Sequence, residues 1–296
     1  MHQRMFAFRI LVSTGAFVLA SLAHAALDQA AYNAAVELYN QRKPEAQAAF
    51  EKLAAANPDN AGILFYLGRL ALQKNDHETA VKHLEKAAAL APNDSRIQQR
   101  LGDAYGLSAQ KAGLFSKMSL AGKCRVAYEK AVELDPKSLD ARFALLGFYQ
   151  QAPGIAGGGM DKAHAQAQEI KKLDASRGRA AIAGLYIAEK KYAEAFGEFE
   201  AVLKEKPDDY AALFQFGRLA AISGERLDQG LAALRKCLAQ TPPDTQPPQP
   251  GHAAAHWRIG NILEKQNDKA GARAAYEASL QVDPKFPQAI ESLKKL

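Results

Sequence analysis

The stretch LFYLGRLALQKNDHETAVKHLEKAAALAP, Leu64 to Pro92, decides how the rest of the chain is read. Its apolar and small residues return at Leu64, Leu67, Gly68, Ala80, Leu84 and Ala87, a ladder that fits two consecutive helices, each with one apolar face. Pro92 ends the phrase. It has no N–H to donate and pushes the residue before it out of helical geometry, so the second helix stops there. A glycine inside a helix costs about 1 kcal/mol against alanine. Gly68 is tolerable if its missing side chain lets the second helix close in, with Ala80 as the small residue facing it and Leu84 filling the space one turn later.

The same ending recurs at Pro58, Pro92, Pro136, Ala175, Pro207, Pro242 and Pro284, with successive separations of 34, 44, 39, 32, 35 and 42 residues. The ladder recurs with it. It appears as Leu101, Gly102, Tyr105, Cys124, Tyr128 and Ala131, as Ala183, Tyr186, Tyr192, Ala195, Phe199 and Val202, as Phe216, Gly217, Leu234 and Cys237, and as Ile259, Gly260, Leu263, Ala272 and Tyr276. The abundance of alanine, the best helix former and a poor strand former, agrees with helices packed closely together.

A helix-turn-helix unit of 34 residues with these features resembles the tetratricopeptide repeat, over about Ala26 to Pro284. The resemblance implies an all-α solenoid of an exported bacterial protein, built from about seven helix pairs over residues 26–284. The first unit keeps Ala46, Phe50, Leu53 and Pro58 but has a shortened turn, and the fourth places Leu146 where glycine is usual and ends in Ala175. Both are expected to remain helix pairs with altered packing angles. Residues 285–296 read as an amphipathic capping helix with Ile290 and Leu293 inward.

Three segments lengthen the period. Residues 106–122 carry Leu114, Phe115, Met118 and Leu120 among Lys111, Lys117 and Lys123, which suits either longer helices packed on each other or a segment touching a partner or a membrane surface. Residues 152–159 are rich in glycine but lack the lysine and hydroxyl of a phosphate loop, and Asp161 is placed to cap the helix that follows. Residues 242–251 hold five prolines and form an extended spacer before the seventh unit.

The N-terminus has the three parts of a secretory signal: Arg4 and Arg9, an apolar run from Ile10 to Leu22, and Ala23-His24-Ala25 before the expected cut after Ala25. Thirteen apolar residues fall short of the roughly 20 that span a bilayer. An uncleaved anchor remains the alternative. With no cysteine near the cut for lipid attachment, a periplasmic or secreted protein without stable membrane insertion is expected. Loss of Arg4 and Arg9 takes two from the formal charge of +6, leaving about +4, which favours acidic partners slightly and is no nucleic-acid footprint. Cys124 and Cys237, three repeats apart at helix-packing positions, are expected as buried free thiols.

Signs of catalysis are missing: no Gly-x-Ser-x-Gly elbow, Cys-x-x-Cys, zincin helix or dinucleotide fingerprint occurs. His252 and His256 have metal-ligand spacing but no third ligand, so no metal, cofactor or catalytic residue is assigned. Acidic pairs such as Asp208 and Asp209 sit at helix starts, where they stabilise the dipole.

The resemblance implies that the first helix of each pair lines a concave surface receiving an extended peptide or a partner helix. Taking the residue one turn before and the residue just after the small packing position selects Phe65 and Arg69, Gln99 and Asp103, Phe143 and Gly147, Ala180 and Gly184, Phe214 and Arg218, and Trp257 and Asn261. Aromatic and arginine side chains are enriched at interface hot spots. The alternative is that the aromatics pack between neighbouring units. The expected role is a scaffold or assembly factor holding a protein or peptide segment. A second possibility is cell-wall glycan or small-ligand binding, with Trp257 and the other rings as stacking platforms.

Overall fold

The computed structural model describes residues 27–244 and 250–296. The expected leader at 1–25 and the middle of the proline-rich segment lie outside the described residues. Among the described residues there are fifteen α-helices and no strand. They pair in chain order: α1 (Gln29–Asn40) with α2 (Glu45–Ala56), α3 (Ala61–Gln73) with α4 (His77–Leu90), α5 (Ser95–Lys111) with α6 (Leu114–Leu134), and α7 (Leu139–Gln151) with α8 (Met160–Leu173). Then follow α9 (Ala175–Ala188) with α10 (Tyr192–Glu205), α11 (Tyr210–Ser223) with α12 (Leu227–Leu238), and α13 (His252–Lys265) with α14 (Lys269–Val282), closed by α15 (Pro287–Lys295).

Local chemistry starts the helices where the chain needs them to start. Asp28, Asn60, Asp94, Ser138, Asp174 and Asp209 each accept a backbone N–H from the first turn of a first helix. Such a cap contributes about 1 kcal/mol. Only α13 departs among these first helices, beginning at Gly251 with no side-chain cap. The glycine-rich segment forms a 3-10 turn at Gly154–Ala156, and Gly157 continues it in the left-handed region at φ 89°. Asp161 does not cap α8 as expected. The cap position falls on Gly159, and Asp161 lies in the first turn, where its charge still suits the helix dipole.

Within a pair, the crossing is set by a missing side chain. A methyl group placed on Gly68 would stand 2.5 Å from Leu84, on Gly102 2.5 Å from Tyr128, on Gly217 2.3 Å from Leu234, and on Gly260 2.2 Å from Tyr276. Ala80, Ala195 and Ala272 on the opposing helices are completely buried. The fourth pair closes differently, with Leu146 buried where glycine stands elsewhere. Its compensating close approach lies at the next junction, where a methyl on Gly178 of α9 would meet the Lys171 backbone at 2.2 Å.

Neighbouring first helices touch each other directly, α3 with α5, α5 with α7 and α11 with α13. No pair of successive second helices makes comparable contact. The stack therefore curves with the first helices on the inside. Two large apolar clusters run along it, one from α3 to α9 and one from α9 to α14, and Tyr186 borders both. At the C-terminal end, Ala289 of α15 is fully buried beside Tyr276, with Leu293, Phe286 and Trp257 packed around them. Leu293, half-buried, packs against this cluster as expected, whereas Ile290, equally half-buried, is outside it and Ala289 takes the central place. No helix among the described residues is long and apolar enough to cross a membrane.

The two kinds of glycine respond oppositely to one added methyl. Tyr276 cannot retreat from Gly260, because its hydroxyl is hydrogen-bonded to Asn261 and Glu264. Gly260→Ala is expected to lower stability by about 1–2 kcal/mol, overpacking exceeding the gain in helix propensity. Gly184→Ala, where an added methyl meets nothing within 4 Å, is expected to raise it by about 0.5–1 kcal/mol. Urea unfolding followed by circular dichroism measures both, and a destabilised Gly184→Ala would contradict the packing described.

Candidate functional site

The inner face is defined by the helix wheel. At about 100° per residue, positions two before, one after and five after the small packing residue point about 100–160° away from the second helix. The position three before is turned only about 60° from it, toward the neighbouring pair. Residues at the first set of positions line a groove of about 970 Å³ across α3, α5 and α7, among them Gln73, Arg100, Asp103, Leu107, Ala144, Gly147 and Gln151, with Lys117, Cys124 and Tyr128 contributed by α6.

This geometry corrects the choice of aromatic residues made from sequence. Phe65 and Phe214 are 8% and 4% exposed and belong to the core. Arg96, from the next pair, lies over the Phe65 ring at 5.9 Å. Phe143 does line the groove, but Arg177 of α9 covers its ring at 4.7 Å. Trp257 is held by the capping helix, its Nε1–H donating to Ser292 Oγ at 3.1 Å and its ring edge-on to Phe286 at 6.1 Å. The aromatics one turn before the packing position thus join neighbouring pairs to each other. Gln99 is half-buried and is not among the groove-lining residues.

The polar members of the set fare differently. Arg69 lies over Tyr39, Phe65 and Tyr66, at 4.6, 5.2 and 5.6 Å from their ring centres. Asp103 accepts hydrogen bonds from the Tyr128 hydroxyl at 2.7 Å and from Arg100 at 2.8 Å. Burial and this carboxylate hold the Tyr128 phenol well above its ordinary range. Arg218 donates to Gln215 Oε1 at 3.2 Å. Asn261 donates to the Tyr276 hydroxyl at 2.9 Å and accepts from Arg258 at 3.4 Å. Arg258, two residues before Gly260 and not singled out from the sequence, stacks on Trp257 at 4.0 Å. Burial, and then the like charge of Arg218, lower its pKa to about 10, so it stays charged at neutral pH.

Charge along the face is uneven. Arg100 is neutralised by Asp103 at 2.8 Å. Among the described residues no ion pair engages Arg218 or Arg258, which leaves the C-terminal part of the face positive. Between these ends, five of the six inner positions on α7 and α9 are small, Ala144, Gly147, Ala181, Gly184 and Ala188, the sixth being Gln151. Among the described residues no group of three or more His, Cys, Asp or Glu is arranged to hold a metal ion. His252 instead donates from Nε2 to the Gln240 carbonyl at 2.7 Å, and burial lowers the pKa of His256.

The family model for the tetratricopeptide repeat matches residues 33–95 and again residues 253–286. No curated protein matches the sequence. Among solved structures, the chain is similar to a tetratricopeptide repeat protein from Parabacteroides merdae, at 15% identity and a TM-score of 0.59, over 90% of this chain and 96% of that one. It is also similar to the C-terminal part of a repeat-containing protein from Cytophaga hutchinsonii, at 19% identity and a TM-score of 0.56, over 88% of this chain and 99% of that one. At such identities the likeness concerns the fold.

Cys124, at the groove floor, and Cys237 are both free and buried. Burial pushes each thiol up to about 12. At pH 8 the reactive thiolate is then rarer than in a free cysteine by roughly three orders of magnitude. Ellman's reagent is expected to label neither in the folded protein and both after denaturation. Fast labelling of Cys124 in the folded state would mean that the groove floor is open.

Proposed function

The chain is a tetratricopeptide repeat protein, and on that premise we propose that it is an exported, non-catalytic scaffold that holds a segment of another protein along the face of its first helices. The observation that carries this role is the division of labour on those helices. The aromatic side chains three before the packing position are engaged by neighbouring elements, while side chains two before and one after it remain half-exposed on the inner side at Arg100, Ala144, Gln215 and Arg218; Tyr66 is the exception, stacked on Phe50 of α2 at 4.8 Å. A face that is not consumed in holding the stack is available to a partner.

Its chemistry indicates the kind of segment that fits. Small residues on α7 and α9 let a backbone or a helix approach closely in the middle. Arg218 and Arg258, without carboxylate partners among the described residues, favour acidic side chains toward the C-terminal end. Micromolar affinity requires about 8 kcal/mol, which a few buried anchors supply. Export rests on the signal-like leader at 1–25. Glycan stacking has less support, since Phe65 and Phe214 are buried and the Trp257 ring is engaged by Phe286 and Arg258.

Filling the groove without touching the core tests the role. A methyl on Gly147 would meet only the Gln151 amide at 3.9 Å, and one on Gly184 would meet nothing within 4 Å. Gly147→Trp with Gly184→Trp is expected to keep the melting temperature and to lower recovery of the crosslinked protein partner at least about tenfold, as loss of one hot spot does. Undiminished recovery would contradict the groove. The mass and compartment of the recovered chain report on export in the same experiment: loss of residues 1–25 supports it, and recovery of the chain from the cytoplasm with them retained contradicts it.

A further inference from the structure

The third pair differs from the others in length. Its helices run 17 and 21 residues, against 12 to 14 in the remaining pairs. The turn that joins them is exposed from Gly113 to Lys117. At the apex, Leu114 is 73% exposed and Phe115 91% exposed, the highest value given for any large apolar side chain among the described residues. Met118 follows one turn later on the same side of α6 and is half-buried. Neither Leu114 nor Phe115 contributes to an apolar cluster of the fold. Two adjacent large apolar side chains at the end of an ordered helix gain nothing from folding and gain from a second body that removes them from water.

The charge around the apex indicates what that body is. From Ala104 to Tyr128 the sequence contains Lys111, Lys117, Lys123 and Arg125 and not one Asp or Glu. Lys123 is paired with Glu85 at 3.3 Å and Arg125 with Glu129 at 2.9 Å. Lys111 and Lys117, the two nearest the apex, are exposed and make no ion pair among the described residues. Asp76 and Glu78, at the N-terminus of α4, share with Lys111 and Ala112 the lining of a cavity of about 440 Å³ on one side of the hairpin tip, and the Asp76 carboxylate is already engaged by the Thr79 N–H.

We infer that this apex, Leu114 and Phe115 flanked by Lys111 and Lys117, docks on an anionic lipid surface. A bilayer boundary offers apolar chains beneath negatively charged headgroups, and a convex point enters it without needing a shaped pocket. Two shallow apolar anchors and two cations are each weak alone, and together they give reversible attachment. Lys117 also borders the groove, whereas Leu114 and Phe115 do not, so replacing these two tests the apex with the groove lining intact.

An environment-sensitive fluorophore on Ser116→Cys reports directly on the apex, because both native thiols are buried. On adding vesicles rich in phosphatidylglycerol, its emission is expected to rise and shift to the blue, and not on adding phosphatidylcholine vesicles alone. Lys111→Gln with Lys117→Gln is expected to weaken vesicle binding roughly thirtyfold, and high salt to weaken it similarly. Leu114→Ser with Phe115→Ser is expected to abolish the shift while helical content is kept. No shift with anionic vesicles, an equal shift with neutral ones, or a shift produced only by a protein extract would each overturn the assignment.

Discussion

In four of the seven pairs the two helices cross in close contact at a residue without a side chain, and this contact orients the rest of each first helix. At Gly68, Gly102, Gly217 and Gly260 the second helix of the pair comes so near that a Leu or Tyr side chain fills the space a methyl group would take. Once that contact is fixed, the direction of every other position on the first helix follows from the helical period. Residues three before it meet the neighbouring pair, and residues two before and one after it face the inner side. The groove is thus a consequence of how the pairs close, and it exists without any residue dedicated to making it.

The middle of the chain relaxes the constraint. Leu146 occupies the crossing of the fourth pair, and the close approach moves to Gly178 and the Lys171 backbone at the junction of α8 and α9. There α7, α9 and α11 touch one another less than α3 and α5, α5 and α7, or α11 and α13 do, as is also true of α1 and α3, and the two large apolar clusters meet at Tyr186. The inner face is lined by small residues in this same region. Looser succession of first helices and a floor of small side chains occur together, with polar and positive ends on either side.

Much of the fold is legible in the sequence because its determinants are local and periodic: a cap at the start, a small residue at the crossing, a proline after the end. The long third pair and the capping helix are legible for the same reason. The orientation of Phe65 and Phe214 is not, since one residue of register, about 100° on the wheel, separates a groove position from a stacking position. Counting from Gly68, Gly217 and Gly260 by the helical angle turns both rings toward a neighbouring pair and selects Gln215 and Arg258 for the inner face, while Tyr66, reached by the same count, is taken up by Phe50. The arginines over Phe65 and Phe143, Arg96 and Arg177, occupy the same place in the third and fifth units, six residues before Gly102 and Ala183. That recurrence is visible in the sequence only once the stacking role of the aromatics is known. Gly178 and Gly230 give no such sign, because their close contacts, with Lys171 and with Ala220, depend on how a particular junction packs.

The central claim is that the inner face of the first helices, and no other surface of the stack, receives a protein segment. A photo-crosslinking amino acid introduced singly at Ala144, Ala181 and Gln215 on that face, and at exposed Lys82 and Gly197 on the second helices, measures this most directly in living cells. The account predicts one discrete protein adduct shared by the three inner positions and none from the outer two. Adducts from the outer positions with none from the inner ones would contradict it.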